Sequence, residues 1–336
     1  NIGGFGNNGP TLAQIRMMTE YLLGKDPLRR ERHWSELQRG FRKYDRFGIG
    51  TIDIALWDLA GKTYGASISE LLGSYRETLP AYASTYMGDE NGGLDSPEAY
   101  ADFAEDCLDL GFLAFKMHGW GPQGTGDRDI DREIATVHAL GDRVGDEMDL
   151  MLDPACEYET WADALQVGRA CDEQSFYWYE DPYRDGGVSQ HGHKQLHERL
   201  DTPLLQGEYL HSLELNADFI ASGATDFARA DPEYDGGITG AMKIANVAEG
   251  LGLDIEYHGA GPAQRHCMAA TRNTNYYELG IVHPRAAGTR DLPVYQDSYQ
   301  DALTSIDSEG TVPVPTEPGL GVTYDWDYIK EHQIET

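Results

Sequence analysis

The chain has 336 residues, with 57 acidic and 26 basic side chains and a formal net charge of −31. Hydrophobic residues make up 40% of it, which excludes a disordered polyanion and allows one large or two unequal domains. The charge argues against a nucleic-acid partner, because phosphate contacts need clustered Lys and Arg. No apolar run reaches the roughly 18 residues that a membrane span needs. The four cysteines, at positions 107, 156, 171 and 267, are too sparse for a disulfide framework, which favours a cytoplasmic location.

The excess of acidic side chains is typical of proteins from salt-loving organisms. Molar salt screens the self-repulsion of such a surface, because the Debye length falls to about 3 Å. We therefore hypothesise a halophilic source, and an ordinary acidic cytosolic protein is the alternative. Stability that falls as salt rises to molar levels would contradict the hypothesis.

Residues 1–78 are predicted to be mainly helical. Segments 11–23 and 50–62 carry apolar residues at helical spacing, and Gly24 and Gly61 mark their ends. From residue 79 to residue 289, short apolar runs alternate with amphipathic helical patterns. Residues 290–336 are rich in Pro, Gly and Asp, and "VPVPTEPGLGV" predicts extended chain and turns that pack back on the N-terminal helices.

Eight strands are predicted between residues 79 and 289. Eight strands that alternate with helices imply a parallel sheet, and eight such units close into a (β/α)8 TIM-type barrel of the α/β class. The strands are predicted to begin at Leu79, Phe112, Asp149, Ser175, Pro203, Phe227, Leu253 and Tyr276.

Ionisable side chains end seven of these strands. In barrels of this kind the active site is built at the carboxyl ends of the strands, so these side chains are expected to converge on one mouth. They are Lys116 and His118 on the second strand, then Asp153, Glu180, Glu208, Asp231, His258 and Glu278 on the six that follow.

Three of these acids, Asp153, Glu180 and Glu208, lie on successive strands at nearly equal spacing. Three hard oxygen ligands, with room left for water and substrate, suit Mg²⁺ better than Zn²⁺, which prefers nitrogen and sulfur. The alternative is that each acid caps the following helix or faces solvent. Convergence of all three in register favours a metal site.

Lys116 and His118 are two residues apart on one strand, so both are predicted to point into the mouth. Across the barrel, Asp231 can hold the imidazole of His258 by one ring nitrogen and raise its basicity. Three alternatives remain: Asp231 as the N-cap of the helix "GGITGAMK", His258 as a packed loop residue, and Glu278 as a cap of its own loop.

Two further histidines, His266 and His283, lie beyond the ends of the seventh and eighth strands. We expect them to be surface or substrate-contact residues.

The order of these motifs resembles the enolase superfamily, specifically its mandelate racemase subgroup. "YDRFGIGTIDIALWDLAGKTYGASISELLG" resembles the family's link from capping domain to barrel. "FKMH", "LDPA", "YEDP", "QGE", "ADPEYDGGITGAMKIA", "EYHGAG" and "NYYELG" resemble its strand ends in family order, and "PGLGV" fits near the C-terminus. The resemblance implies a barrel over 79–289 and an α+β capping domain formed by 1–78 and 290–336. The N-terminal capping strands are expected to be absent or cut short.

The resemblance also implies a role for each site residue. It implies general acid–base chemistry at one metal ion, Mg²⁺ or in its place Mn²⁺. The second lysine of the family's usual Lys-x-Lys is a histidine here, and an unperturbed histidine, with a pKa near 6.5, can act as base or acid. The implied roles are metal ligand for Asp153, Glu180 and Glu208, base dyad for His258 and Asp231, the Lys-x-Lys positions for Lys116 and His118, and substrate-carboxylate contact for Glu278.

The implied reaction removes the proton α to a carboxylate through a stabilised enediolate. We expect dehydration of a sugar acid, an aldonate or aldarate, to a 2-keto-3-deoxy acid. The alternatives are a racemase or epimerase, a cycloisomerase, and a catalytically silent scaffold. The expected partners are a small carboxylate substrate and other copies of the chain. Specificity is expected in the capping segment and in the loops at 119–126 and around Tyr183 and Arg184.

Overall fold

Four helices precede the barrel in the computed structural model, which describes residues 12–44, 46–85, 92–120, 128–285 and 294–333. Gly48 and Gly65 flank the third helix with φ of 102° and 68°, in the left-handed region that glycine adopts without strain. A capping box between Ser67 and Glu70 starts the fourth. The helices are α1 (Leu12–Leu22), α2 (Arg30–Gly40), α3 (Ile49–Tyr64) and α4 (Ile68–Leu72).

Eight strands follow and confirm the eight that the sequence predicts. Each is short and mostly buried, as expected where helices cover the outer face of a parallel sheet. They are β1 (Thr78–Thr85), β2 (Ala114–His118), β3 (Asp149–Asp153), β4 (Trp178–Glu180), β5 (Leu204–Gln206), β6 (Phe227–Ala230), β7 (Asp254–Tyr257) and β8 (Tyr277–Val282).

Helices alternate with the strands. Most begin at a Ser, Thr or Asp whose side chain accepts a hydrogen bond from the first turn, which satisfies otherwise unpaired amides. They are α5 (Pro97–Leu110), α6 (Ile130–Val144), α7 (Trp161–Glu173), α8 (Gln190–His197), α9 (Leu213–Ser222), α10 (Gly237–Leu251) and α11 (Pro262–Ala270), and the C-terminal segment adds β9 (Thr311–Pro313) and α12 (Trp326–Glu331).

The strand order is β7-β6-β5-β4-β3-β2-β1-β8, with all neighbours parallel, and β9 pairs antiparallel with the beginning of β1. The curled sheet brings β7 and β8 together. At this seam the Ile255 amide donates to the Asn273 carbonyl at 2.8 Å, and the Gly259 amide donates to Glu278 Oε2 at 2.7 Å. The sheet is therefore the predicted (β/α)8 barrel.

Side chains alternate between the inside of the barrel and the layer beneath the helices. Trp178 packs with Tyr82, Met151 and Leu205 inside the barrel. Tyr179 points outward, where its hydroxyl donates to a carbonyl of α7 at 3.0 Å. Because side chains alternate along a strand with a period of two, Glu180, the residue after Tyr179, points inward again.

The C-terminal segment contacts the N-terminal helices through backbone hydrogen bonds. The Gly319 amide donates to the Ala66 carbonyl, and the Gly319 carbonyl accepts from Ile68, both at 3.0 Å. The Leu320 amide donates to Asp58 Oδ1 at 2.9 Å. The domain limits at 78 and 289 stay predictions, and the second lies outside the described residues. Among those residues, no helix has the length and apolar character to cross a bilayer.

Gly50, in the first turn of α3, touches the loop that follows β6. A Cβ at this position would collide with the backbone carbonyl oxygens of Pro232 and Glu233. We expect Gly50→Ala to destabilise the fold by about 1–3 kcal/mol, because rigid backbone must move to admit the methyl group. Denaturant unfolding checks this. Gly250→Ala is the control, since nothing lies within 4 Å of its added Cβ, and equal stability of the two variants would contradict the contact.

Candidate active site

Three carboxylates meet at the mouth of the barrel. Asp153 ends β3, Glu180 ends β4, and Glu208 lies two residues beyond β5. One oxygen from each lies within 4.8 Å of the others, and Asp153 and Glu180 are buried. None of the three caps the helix that follows it, because Thr160, Ser189 and Ser212 occupy the N-cap positions of α7, α8 and α9.

Lys116 lies beneath the three acids and is completely buried. Its Nζ is 2.9 Å from Glu180 Oε2 and 3.2 Å from both Asp153 Oδ2 and Glu278 Oε1. Burial opposes the charge on this amine, but Glu180 and Glu278 outweigh it and raise the pKa of Lys116 well above its usual value. These two carboxylates therefore favour the charged form of Lys116 at the base of the site.

Arg229 on β6 is a second buried cation, which the sequence analysis missed. Its Nη2 donates to Glu278 Oε2 at 2.9 Å and to the Tyr82 hydroxyl at 3.2 Å. Its Nε lies 3.1 Å from Glu180 Oε1. Arg229 precedes Asp231 by two residues, so strand alternation alone would have placed it in the mouth.

Glu278 on β8 forms an ion pair with Lys116 and accepts hydrogen bonds from three other groups of the protein. Besides Lys116 and Arg229, the Ser84 hydroxyl donates to Oε1 at 2.9 Å and the Gly259 amide donates to Oε2 at 2.7 Å. Glu278 therefore faces the mouth rather than capping its own loop. Its contact with the substrate carboxylate stays a prediction.

His118 and His258 face the acids from opposite sides of the barrel. His118 Nε2 is 3.1 Å from Asp153 Oδ2. His258 Nδ1 is 2.6 Å from Asp231 Oδ2, and its Nε2 is 3.4 Å from Glu208 Oε1. The predicted alternatives for this pair do not apply, because Gly236 is the N-cap of α10 and the imidazole of His258 bonds Asp231.

The environment of His258 favours its protonated form in the absence of a metal. Burial works against the charge, but the carboxylates of Glu208 and Asp231 raise the pKa of His258 to about 9. Asp231 fixes the hydrogen on Nδ1 and leaves Nε2 toward the mouth.

An aromatic cluster borders His258. The Tyr234 ring stacks on Phe47 of the capping segment and on His211 of the loop after β5, each at 5.2 Å, and lies 6.2 Å from the His258 ring. The capping segment thus contributes to the edge of the mouth. Of the loops expected to set specificity, residues 121–126 lie outside the described residues, and Tyr183 stacks on His193 at 5.2 Å.

The expectation for His266 is wrong. This side chain is fully buried. Both ring nitrogens have partners within the protein: Nδ1 accepts from the Ser69 amide at 3.2 Å, and Nε2 lies 3.1 Å from the Leu320 carbonyl. It ties α11 to α4 and to the C-terminal segment. His283 Nδ1 lies 3.2 Å from the Gly92 carbonyl, in a half-buried position.

An eight-stranded parallel barrel with an acid triad, a buried lysine and a His–Asp pair at the strand ends defines a metal-dependent enzyme. Residues 99–328 match the family described as enolase C-terminal domain-like. Residues 3–73 match the mandelate racemase / muconate lactonizing enzyme, N-terminal domain. The chain belongs to the enolase superfamily, in its mandelate racemase subgroup.

Several relatives of known activity are sugar-acid enzymes. The chain is 25% identical to D-gluconate dehydratase of Thermoproteus tenax, over 97% of the chain and 65% of that protein. It is 27% identical to D-galactarolactone cycloisomerase of Agrobacterium fabrum, over 97% of the chain and 85% of that protein. The structure is similar to D-glucarate dehydratase from Agrobacterium tumefaciens complexed with magnesium, with a TM-score of 0.88 and 32% identity, over 97% of this chain and 85% of that one.

Proposed function

We propose that the protein catalyses the Mg²⁺-dependent dehydration of a sugar acid, an aldonate or aldarate, to a 2-keto-3-deoxy acid. The observation that carries the proposal is the acid triad with Lys116 beneath it and histidines on both sides. The dehydratases among the relatives support the substrate class. The expected cytoplasmic location and homo-oligomer remain predictions.

The triad suits a divalent cation. Asp153, Glu180 and Glu208 supply hard oxygen ligands close enough to share one ion, and Mg²⁺ or Mn²⁺ accepts such a set. When bound, the ion would stabilise negative charge that develops on the substrate carboxylate. Lys116, already charged and buried, adds to this stabilisation without any reorganisation of solvent.

The two histidines supply the proton transfers. We assign the base to His258, because Asp231 holds its Nδ1. A cation on Glu208 would offset the negative charge that favours protonation of Nε2, so the neutral Nε2 could accept the α-proton. As the Cβ–O bond breaks, the leaving hydroxide takes a proton from the imidazolium of His118 and departs as water. The enol that remains becomes the 2-keto-3-deoxy acid. The enol proton moves to Cβ in this last step. His258 then releases the α-proton to solvent and His118 takes one up, which returns both side chains to their starting states.

Epimerisation is the second candidate, because His118 and His258 approach the mouth from opposite faces. The two reactions separate in D₂O with a panel of C5 and C6 aldonates and aldarates, Mg²⁺ and high salt. We expect a 2-keto acid from at least one substrate. Deuterium gain at the α-carbon together with inversion of its configuration, and without a keto acid, would establish epimerisation instead. No turnover, together with the same melting temperature with and without Mg²⁺, would leave the scaffold alternative.

A further inference from the structure

A buried carboxyl group that takes no part in the proton transfers lies behind the pair of His258 and Asp231. Asp235 is 3% exposed and lies in the turn between β6 and α10. Its Oδ2 accepts a hydrogen bond from the Asp231 amide at 2.8 Å, and its own amide donates to the Asp231 carbonyl, also at 2.8 Å. The side chain and the backbone of Asp235 thus hold the two backbone polar groups of Asp231.

One peptide unit connects Asp235 with both members of the pair. The N–H of this unit belongs to Asp231 and is held by Asp235. Its carbonyl belongs to Ala230, the last residue of β6, and accepts from the His258 amide at 2.9 Å. A peptide unit is planar and rigid, so the bond to Asp235 fixes the direction of both groups. A tilt of this unit would therefore disturb the alignment of Asp231 with His258.

The side chain of Asp231 has both of its oxygens in use. Oδ1 accepts from the Glu233 amide at 2.6 Å, and Oδ2 lies 2.6 Å from His258 Nδ1. Asp231 is 3% exposed, and loss of the Asp235 carboxyl group would take away the acceptor of its amide. A buried amide without an acceptor is costly, so the backbone would shift to find another one. The bond to His258 would shift with it.

Asp235 acts through its geometry rather than its charge. Its Oδ1 is buried and has no hydrogen-bond partner among the described residues. Burial raises the pKa of Asp235 to about 8, and the bond from the Asp231 amide opposes only part of this shift. The carboxyl group is therefore mainly protonated at pH 7, and an uncharged amide of the same shape can replace it.

We propose that Asp235 is a positioning residue that holds Asp231 in line with His258. The consequence for catalysis rests on the proposed function, in which His258 removes the α-proton. The geometric part does not, because it concerns the hydrogen bond between two side chains of the protein. Asp235 touches no reacting atom in this role and acts only through Asp231.

Asp53 on α3 provides a matched control, because it is a second buried acid beside the same turn. It is 2% exposed, and burial raises its pKa to about 7. Its carboxylate accepts from the amide and the hydroxyl of Thr239, at 2.9 Å and 2.8 Å, in the first turn of α10. Asp53 thus fastens α10, whereas Asp235 fastens the Asp231 backbone. A merely structural role for Asp235 predicts that loss of either acid has the same effects.

Proton NMR of the full chain with Mg²⁺ tests the geometry without any substrate. The hydrogen on His258 Nδ1 lies in a 2.6 Å contact and should give a resonance far downfield, which is absent in His258→Asn. We expect Asp235→Leu to shift or remove this resonance, and Asp235→Asn to keep it. Asp53→Leu should keep it even where its melting temperature falls. An unchanged resonance in Asp235→Leu, or an equal change in Asp53→Leu, would overturn the proposal.

Kinetics with the sugar acid tests the consequence for catalysis. Asp235→Leu should lower kcat about 10–10²-fold, the usual cost of disturbing a group that orients a site residue. KM and Mg²⁺ affinity should stay the same, and Asp235→Asn should restore kcat. An unchanged kcat in Asp235→Leu, or a change in KM alone, would contradict the role. If no sugar acid is turned over, the proposed function fails, and the resonance still decides the positioning.

Hydrogen exchange in the native protein keeps the proposal testable if Asp235→Leu does not fold. We expect the Asp231 amide to be strongly protected, because Asp235 Oδ2 accepts from it inside the protein. An Asp231 amide that exchanged as fast as the amides of exposed loops would overturn the proposal.

Discussion

Lys116→Met should lower kcat/KM for the sugar acid about 10²–10⁴-fold, while Mg²⁺ binds at least as tightly as in the native protein. The buried amine contacts Asp153, Glu180 and Glu278, so its charge competes with a cation at the triad. Removing the lysine makes the net charge of the acid cluster more negative, which strengthens the binding of Mg²⁺. Turnover falls because that charge no longer stabilises the developing anion. Keto-acid formation measures the first effect, and calorimetric titration with Mg²⁺ measures the second.

Glu180→Gln provides the matched comparison, since it changes the partner of the same 2.9 Å contact. It removes a ligand and a negative charge from the triad, so we expect Mg²⁺ affinity to fall before any other property changes. The two variants thus shift metal affinity in opposite directions. If Lys116→Met weakened Mg²⁺ binding as much as Glu180→Gln does, the lysine would serve only to hold the acids in place. Intact Mg²⁺ affinity in Glu180→Gln would reject the ligand assignment.

Much of this site follows from one local rule, the alternation of side chains along a strand. Lys116 and His118 share a face because they are two residues apart, and β2 fixes both toward the mouth. The strand ends also set the positions of Asp153 and Glu180. The rule needs only that apolar runs identify the strands, and the bounds of β2 and β3 agree with the predicted segments.

Partners that lie far apart in sequence are where the prediction fails. Arg229 follows the same alternation as Asp231. Its burial is possible because its guanidinium pairs with Glu278 on β8, 49 residues away. His266 reads as a surface residue in its own segment. It is buried because Ser69, 197 residues away, and Leu320, 54 residues away, use both of its ring nitrogens. Local pattern cannot reveal such compensation, since only the closed fold brings the partners together.

The sharpest test of the mechanism asks which histidine removes the α-proton of the substrate. His258→Asn should lower the rates of α-proton exchange in D₂O and of keto-acid formation, each by about 10²–10⁴-fold, because no other group replaces its Nε2. Asp231→Asn should cost less, since the imidazole stays but loses the 2.6 Å contact that orients it. His118→Asn should block loss of the hydroxyl while exchange at the α-carbon continues. Mass spectrometry of the recovered substrate separates exchange from turnover.

His197→Asn is the control for these substitutions. This histidine ends α8, pairs with Asp226, and has 46% of its own side chain exposed. It should leave exchange and turnover unchanged. The assignment of base and acid is reversed if His258→Asn still exchanges the α-proton and His118→Asn does not. Loss of exchange in only one of the two variants means that a single face removes the proton, as dehydration requires. Exchange that survives either substitution alone, but not both together, would mean that both faces abstract the proton, as an epimerase requires.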